Sequence, residues 1–176
     1  MRYPGLTHMD ADGRPNMVDV SNKTPTKRTA TASGRIILNR DALSLLTDSD
    51  NDKHGGLPGV KNDALHGANA VEGKRKARSK GDVLTTAQLA AIMASKQTSS
   101  LIPLCHPLPV AHVRAEFTLE PSTSSVRCTA TVQCDGKTGV EMEALTAVSI
   151  GLLTIWDMVK AVAGKEMIVS TGLPYL

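Results

Sequence analysis

The segment Gly136–Lys160, reading GKTGVEMEALTAVSIGLLTIWDMVK, carries ionisable side chains at both ends and none in the middle. Lys137, Glu141 and Glu143 form a front cluster, and Asp157 and Lys160 a rear one. Ammonium and carboxylate groups set close together are suited to moving protons and to holding a polar ligand. Between the clusters, Leu145, Val148, Ile150, Leu152, Leu153, Ile155, Trp156 and Val159 put apolar surface on every face of a helix. Such a helix is expected to be covered on more than one side, by a sheet and by another subunit. Its apolar run reads as too short to span a membrane, which takes roughly 20 residues. At about 1.5 Å per residue, Glu143 and Asp157 lie roughly 20 Å apart along the axis, too far for one small-molecule site to use both. Either the two ends serve different tasks or a neighbouring chain completes the site. Asp157 and Lys160, three residues apart, share a face and read equally as a solvated ion pair or as reactive groups.

Three further stretches carry chemistry. In Leu101-Ile-Pro-Leu-Cys-His-Pro107, two prolines exclude regular helix or central strand, so Cys105 and His106 sit on a stiff loop. A loop histidine can act as acid, base or phosphate ligand near neutral pH, or simply hydrogen-bond a loop carbonyl. No paired cysteine spacing points to a metal site, and Cys105 reads as a buried thiol. Lys80 and Asp82 lie at the entrance of a helix running from Thr85 to Thr98, with a threonine as its expected cap. A helix entrance can also hold an anion. Finally, Met17-Val-Asp-Val-Ser-Asn-Lys23, containing Asp19, precedes Lys27 and Arg28 and reads as a polar segment entering a first strand.

Together these pieces resemble the MoaC family, the cyclic pyranopterin monophosphate synthases of molybdenum cofactor biosynthesis. The matching stretches are LTHMDADGRPNMVDVSNK, KGDVLTTAQLAAIMASKQTSSLIPLCHPLPV and GKTGVEMEALTAVSIGLLTIWDMVKAV, in family order. The combination of LIPLCHP with KTGVEMEALTA is the most specific part. The resemblance implies a lyase that converts 3′,8-cyclo-7,8-dihydroguanosine triphosphate into cyclic pyranopterin monophosphate, with loss of pyrophosphate. It implies no redox cofactor and no protein-held metal, and leaves open whether magnesium accompanies the triphosphate. By the same resemblance Lys80, Asp157 and Lys160 are the catalytic residues. Lys80 and Lys160 would serve as acid/base or charge-stabilising groups, with Asp157 orienting Lys160. His106 and Arg28 would hold phosphate, while Asp19, Cys105, Glu141, Met142 and Glu143 would bind substrate or line the pocket. The resemblance further implies a ferredoxin-like fold, a hexamer built as a trimer of dimers with sites between protomers, and a functional link to the preceding radical SAM enzyme.

Composition sets independent bounds. The 176 residues suffice for one domain, 1–176, with a proper core. A net charge of +3 and a pI near 8.8 suit an anionic small molecule, yet are too weak to argue for nucleic acid. Aromatic residues, at 2%, are too few for the stacking platforms of a single-strand binder. Three cysteines without a framework point to a reducing compartment. With no apolar leader at the N-terminus, a cytoplasmic location is expected, or the mitochondrial matrix in a eukaryote.

The coarse organisation reads as α+β, a two-layer sandwich with helices on one face of an antiparallel sheet. Arg28–Leu38 is predicted as a strand and Asp41–Leu46 as a short helix. His112–Glu120 and Val126–Cys134 alternate cleanly around a turn at Pro121–Ser125 and predict a hairpin, with Cys128 and Cys134 facing the core. Two departures from the family stand out. The stretch 48–79 is long, polar and expected to be disordered, with the basic run Lys74–Arg78 reading as a solvated loop, an anion-binding arm or a lid. Residues 164–176 differ from the family's glycine- and lysine-rich tail, and Lys165 is too early to stand for the tail lysine. That second departure supplies an alternative reading: a catalytically impaired relative acting as a nucleotide- or pterin-binding oligomer subunit.

Overall fold

The computed structural model describes residues 7–10, 12–53, 82–163 and 168–172. The elements run β1 (Thr26–Ile37), α1 (Arg40–Lys53), α2 (Val83–Lys96), a single turn α3 (Thr98–Leu101), β2 (Val110–Glu120), β3 (Ser125–Gly136), α4 (Glu141–Ala163) and β4 (Ile168–Gly172). All strand pairs are antiparallel, in the order β2-β3-β1-β4. With α2 and α4 as the crossovers, this is the split βαβ arrangement of ferredoxin-like domains. The expected fold class is therefore the observed one.

Alternation builds the sheet. On β3, Val126, Cys128, Ala130, Val132 and Cys134 are buried, and on β1 Ala30, Ala32 and Ile36 face the same way. The opposite faces carry threonines, serines and charges, including a Thr31–Thr131 hydroxyl pair at 2.9 Å. The predicted hairpin joins β2 and β3 through Pro121–Thr123, closed by Ser124 in the left-handed region at φ 49°. On the open face at the hairpin end, Glu120 accepts from Arg35, Arg127 and Ser125. Arg35 above all, with Arg127 and Ser125, holds the Glu120 carboxyl down to about 2.

Caps fix where the helices start. Asn39 caps α1: its Oδ1 accepts from Ala42 N at 2.8 Å, and its Nδ2 donates to the Val162 carbonyl at 3.0 Å. One side chain thus satisfies an α1 donor and an acceptor at the far end of α4. Helix α1 runs to Lys53, past the predicted Leu46 and into the first residues of the stretch expected to be disordered; 54–81 lie outside the described residues. Helix α2 is capped by Asp82, whose Oδ1 accepts from Thr85 N at 3.0 Å, and not by a threonine. A carboxylate at the positive helix end outcompetes a hydroxyl for the same orphan amides.

Helix α4 is 23 residues long with a mean hydropathy of 1.5 over its most apolar window, so by length and composition it would pass as a membrane span. The length argument against a span therefore fails, and packing decides instead. Ala144, Ala147, Val148, Gly151, Leu152, Ile155 and Val159 are buried against β1, β3 and α2. It is a core helix, and much of the second cover expected from another subunit comes from α2 and α1 of the same chain. Close approach depends on small residues. A Cβ at Gly151 would sit 3.0 Å from Phe117 Cζ and 3.3 Å from Ala91 Cβ. A Cβ at Gly34 would meet the Ser170 carbonyl at 2.5 Å, Val148 Cγ1 at 2.8 Å and Thr171 Cγ2 at 2.9 Å. The nearest of these atoms is backbone and cannot swing away. Gly34→Ala is expected to cost about 1–3 kcal/mol by prying β4 from β1. A thermal melt checks this, and an unchanged midpoint would show that β4 adjusts freely.

Candidate active site

The front end of α4 meets one edge of the sheet. Because β1 and β2 run antiparallel to β3, the start of β1, the start of β2 and the end of β3 come together there. The loop before β2 and the entrance of α4 close a cavity of about 200 Å³ over that edge. His8, Leu104, Cys105, His106, Leu108, Thr138, Gly139, Glu141, Met142 and Glu143 line it.

Each wall has a local cause. Pro103 and Pro107 keep the loop irregular, and a turn bond from Cys105 N to the Ile102 carbonyl at 3.1 Å presents Cys105 and His106 to the cavity. Helix α4 begins as the Val140 carbonyl accepts from Ala144 N at 3.1 Å. Val140 has no polar side chain to cap the first amides, so the positive end of the helix is left for Glu141, Glu143 or a ligand to satisfy. Glu143 is only 4% exposed. Burial, and then the nearby Glu141, push its carboxyl above the usual range, so it favours the protonated form more than a surface glutamate does. Cys105, expected as a buried thiol, is half-buried in the cavity wall. Burial and the neighbouring Glu143 push its thiol up, which disfavours the nucleophilic thiolate. Cys128 and Cys134 are core residues as predicted, and burial pushes Cys128 to about 12.

The N-terminal segment docks on the same edge. Lys137 Nζ donates to the Ser21 carbonyl at 2.7 Å, and Asn16 N to the His8 carbonyl at 2.9 Å. Asp19 Oδ1 accepts from Ser21 N at 2.8 Å. Its carboxyl is held below the usual range by that bond and the Ser21 hydroxyl, with Lys137 and His106 adding attraction. Arg28 pairs with Cys134 across the β1–β3 ladder and its Nε reaches the Gly136 carbonyl at 3.4 Å. Burial, then Glu143 and Asp135, push the Cys134 thiol up, and Arg28 opposes them.

The structure thus gathers Cys105, His106, Glu141, Met142 and Glu143 around one cavity, with Asp19 and Arg28 beside it. It does not bring Asp157 and Lys160 there. They lie near the other end of α4, paired at 2.5 Å with side chains 63% and 55% exposed. Lys80 lies outside the described residues, as do Lys165 and most of the 164–176 stretch. Within that stretch Ile168–Gly172 forms β4. Sequence reasoning missed His8, Thr138 and Gly139 as lining residues, and gave Lys137 no partner. The bond from Lys137 to Ser21 spans 116 positions, and no local pattern announces such a contact.

A profile of the MoaC family matches residues 17–173. The chain belongs to the MoaC family. Among its relatives, the cyclic pyranopterin monophosphate synthase of Methylobacterium nodulans is 48% identical over 158 residues, covering 90% of this chain and 82% of the relative. That of Cereibacter sphaeroides is 47% identical over 173 residues, covering 98% and 90%. That of Chloroflexus aurantiacus is 46% identical over 157 residues, covering 89% and 80%. The MoaC match takes in every element from β1 to β4 and the whole loop and helix entrance that form the cavity.

Proposed function

We infer that this chain is a cyclic pyranopterin monophosphate synthase of molybdenum cofactor biosynthesis, a lyase acting on the cyclised GTP intermediate. The observation that carries the site assignment is the convergence of Cys105, His106, Glu141, Met142 and Glu143 on one cavity, in a MoaC chain whose relatives bear that name. In the reaction, a sugar-derived hydroxyl joins the α-phosphorus as pyrophosphate leaves, and the purine-derived ring is opened and reclosed as a pterin. The first part needs groups that hold phosphate, which His106, Arg28 and backbone amides at the start of α4 supply. The second needs groups that give and take protons. Glu143, with its raised carboxyl, can donate from the cavity wall. Lys160, oriented by Asp157, and Lys80 are the remaining acid/base groups.

This reading requires the two ends of α4 to meet in different copies. Glu143 and Asp157 are roughly 20 Å apart along one helix. The rear pair is largely exposed and shares a stripe with Leu153, itself 44% exposed, at i, i+4 and i+7. Leu89 and Met93, spaced i, i+4 on α2, are 59% and 57% exposed. We propose that a second copy covers these apolar side chains and sets its own front cavity against Lys160, within a hexamer built as a trimer of dimers. The test is turnover of the cyclised GTP intermediate, followed by pyrophosphate release and cyclic pterin phosphate formation. Product formation is expected. Tight ligand binding by a folded oligomer without turnover would instead make the protein a nucleotide- or pterin-binding subunit.

A further inference from the structure

We propose that Gly139 is a positioning residue: its missing side chain is the seat in which the Glu141 carboxylate rests on the cavity wall. The inference rests on the reading of Glu141 as a substrate-binding group. Gly139 and Glu141 both line the cavity, two residues apart at the entrance of α4. A Cβ at Gly139 would lie 2.5 Å from Glu141 Cδ and would also collide with both carboxylate oxygens. No other atom ranks among its three nearest neighbours. The backbone does not explain the glycine. Among the described glycines only Gly13 has a positive φ, so Gly139 sits in a conformation open to any L-residue. The atoms that a side chain at 139 would meet first are therefore those of the carboxylate.

The consequence separates stability from function. The colliding atoms are the far end of a flexible side chain, which can swing away at little cost to the fold. Swinging away moves the charge off the cavity wall. Gly139→Ala should then fold normally and behave as though Glu141 had been removed.

The experiment is a double-mutant cycle on the full chain with Gly139→Ala, Glu141→Ala and the pair, read as kcat/KM and thermal midpoint, alongside a crystal structure of Gly139→Ala. Each single variant is expected to lose about 10- to 100-fold in kcat/KM, the scale of one hydrogen bond to a charged group. The pair should be no worse than Glu141→Ala alone, and the carboxylate should be displaced in the crystal. A purely structural glycine would give additive losses instead. Additive losses, wild-type kcat/KM in Gly139→Ala, or an unmoved carboxylate would each overturn the proposal. Full activity in Glu141→Ala would overturn the binding role of Glu141 and with it the positioning role, whereas the Gly139→Ala crystal structure reads the seat independently of activity.

Discussion

Lys160→Ala is expected to lower kcat by about 10²- to 10⁴-fold, the range over which a positioned acid or base acts. The fold should be untouched. Lys160 is 55% exposed and its ion pair with Asp157 is a surface i, i+3 contact. Such pairs add little to stability, because solvent screens them and ordering two long side chains costs entropy. The thermal midpoint should therefore stay within a degree or two of wild type. Lys160→Arg separates the two roles open to this residue. Arginine keeps the positive charge but does not give up a proton near neutral pH. If Lys160 moves a proton, Lys160→Arg should be nearly as inactive as Lys160→Ala. If it only neutralises charge, the arginine variant should retain much of its turnover. Wild-type turnover in Lys160→Ala would remove this residue from the mechanism.

Most of the fold was legible because it rests on local patterns. The strict alternation from Val126 to Cys134 can be buried only as a strand with one face on the core, and the turn at Pro121 dictates its hairpin partner. The apolar run from Ala144 to Trp156 reads as a helix covered on every face. Where the reading slipped, competing local signals or distant partners decided the outcome. A threonine was expected to cap α2, and the Asp82 carboxylate takes that place instead. The end of α1 had no stop signal at Leu46, so its predicted boundary was short. The membrane argument leaned on length, whereas the burial of Ala144, Ala147, Val148 and Gly151 against the sheet and α2 is what keeps α4 in the core.

The candidate cavity was legible in several of the residues that line it but not in its assembly. The LIPLCHP loop and the VEMEA helix entrance were each marked by unusual residues, and they do share one cavity. Docking of the N-terminal segment through Lys137 and Ser21 joins residues 116 positions apart, and His8 likewise lines the cavity with residues far from it in the chain. Gly139 carried no signal of its own, since its importance comes from where the Glu141 side chain folds and not from its own backbone.

We propose that the front cavity of one copy and the rear pair of another make one active site. Co-expressing His106→Ala and Lys160→Ala chains and assaying the mixed oligomers tests it directly. Each variant alone should be inactive, one lacking a cavity group and the other the rear lysine. In a random mixture, about a quarter of sites join an intact cavity from one chain to an intact Lys160 from another, as symmetric interfaces between copies allow. Recovery of about a quarter of wild-type turnover is the predicted result, with the two parent oligomers silent. A site built within one chain would never unite the two intact residues. A mixed oligomer as silent as its parents would contradict a site shared between copies.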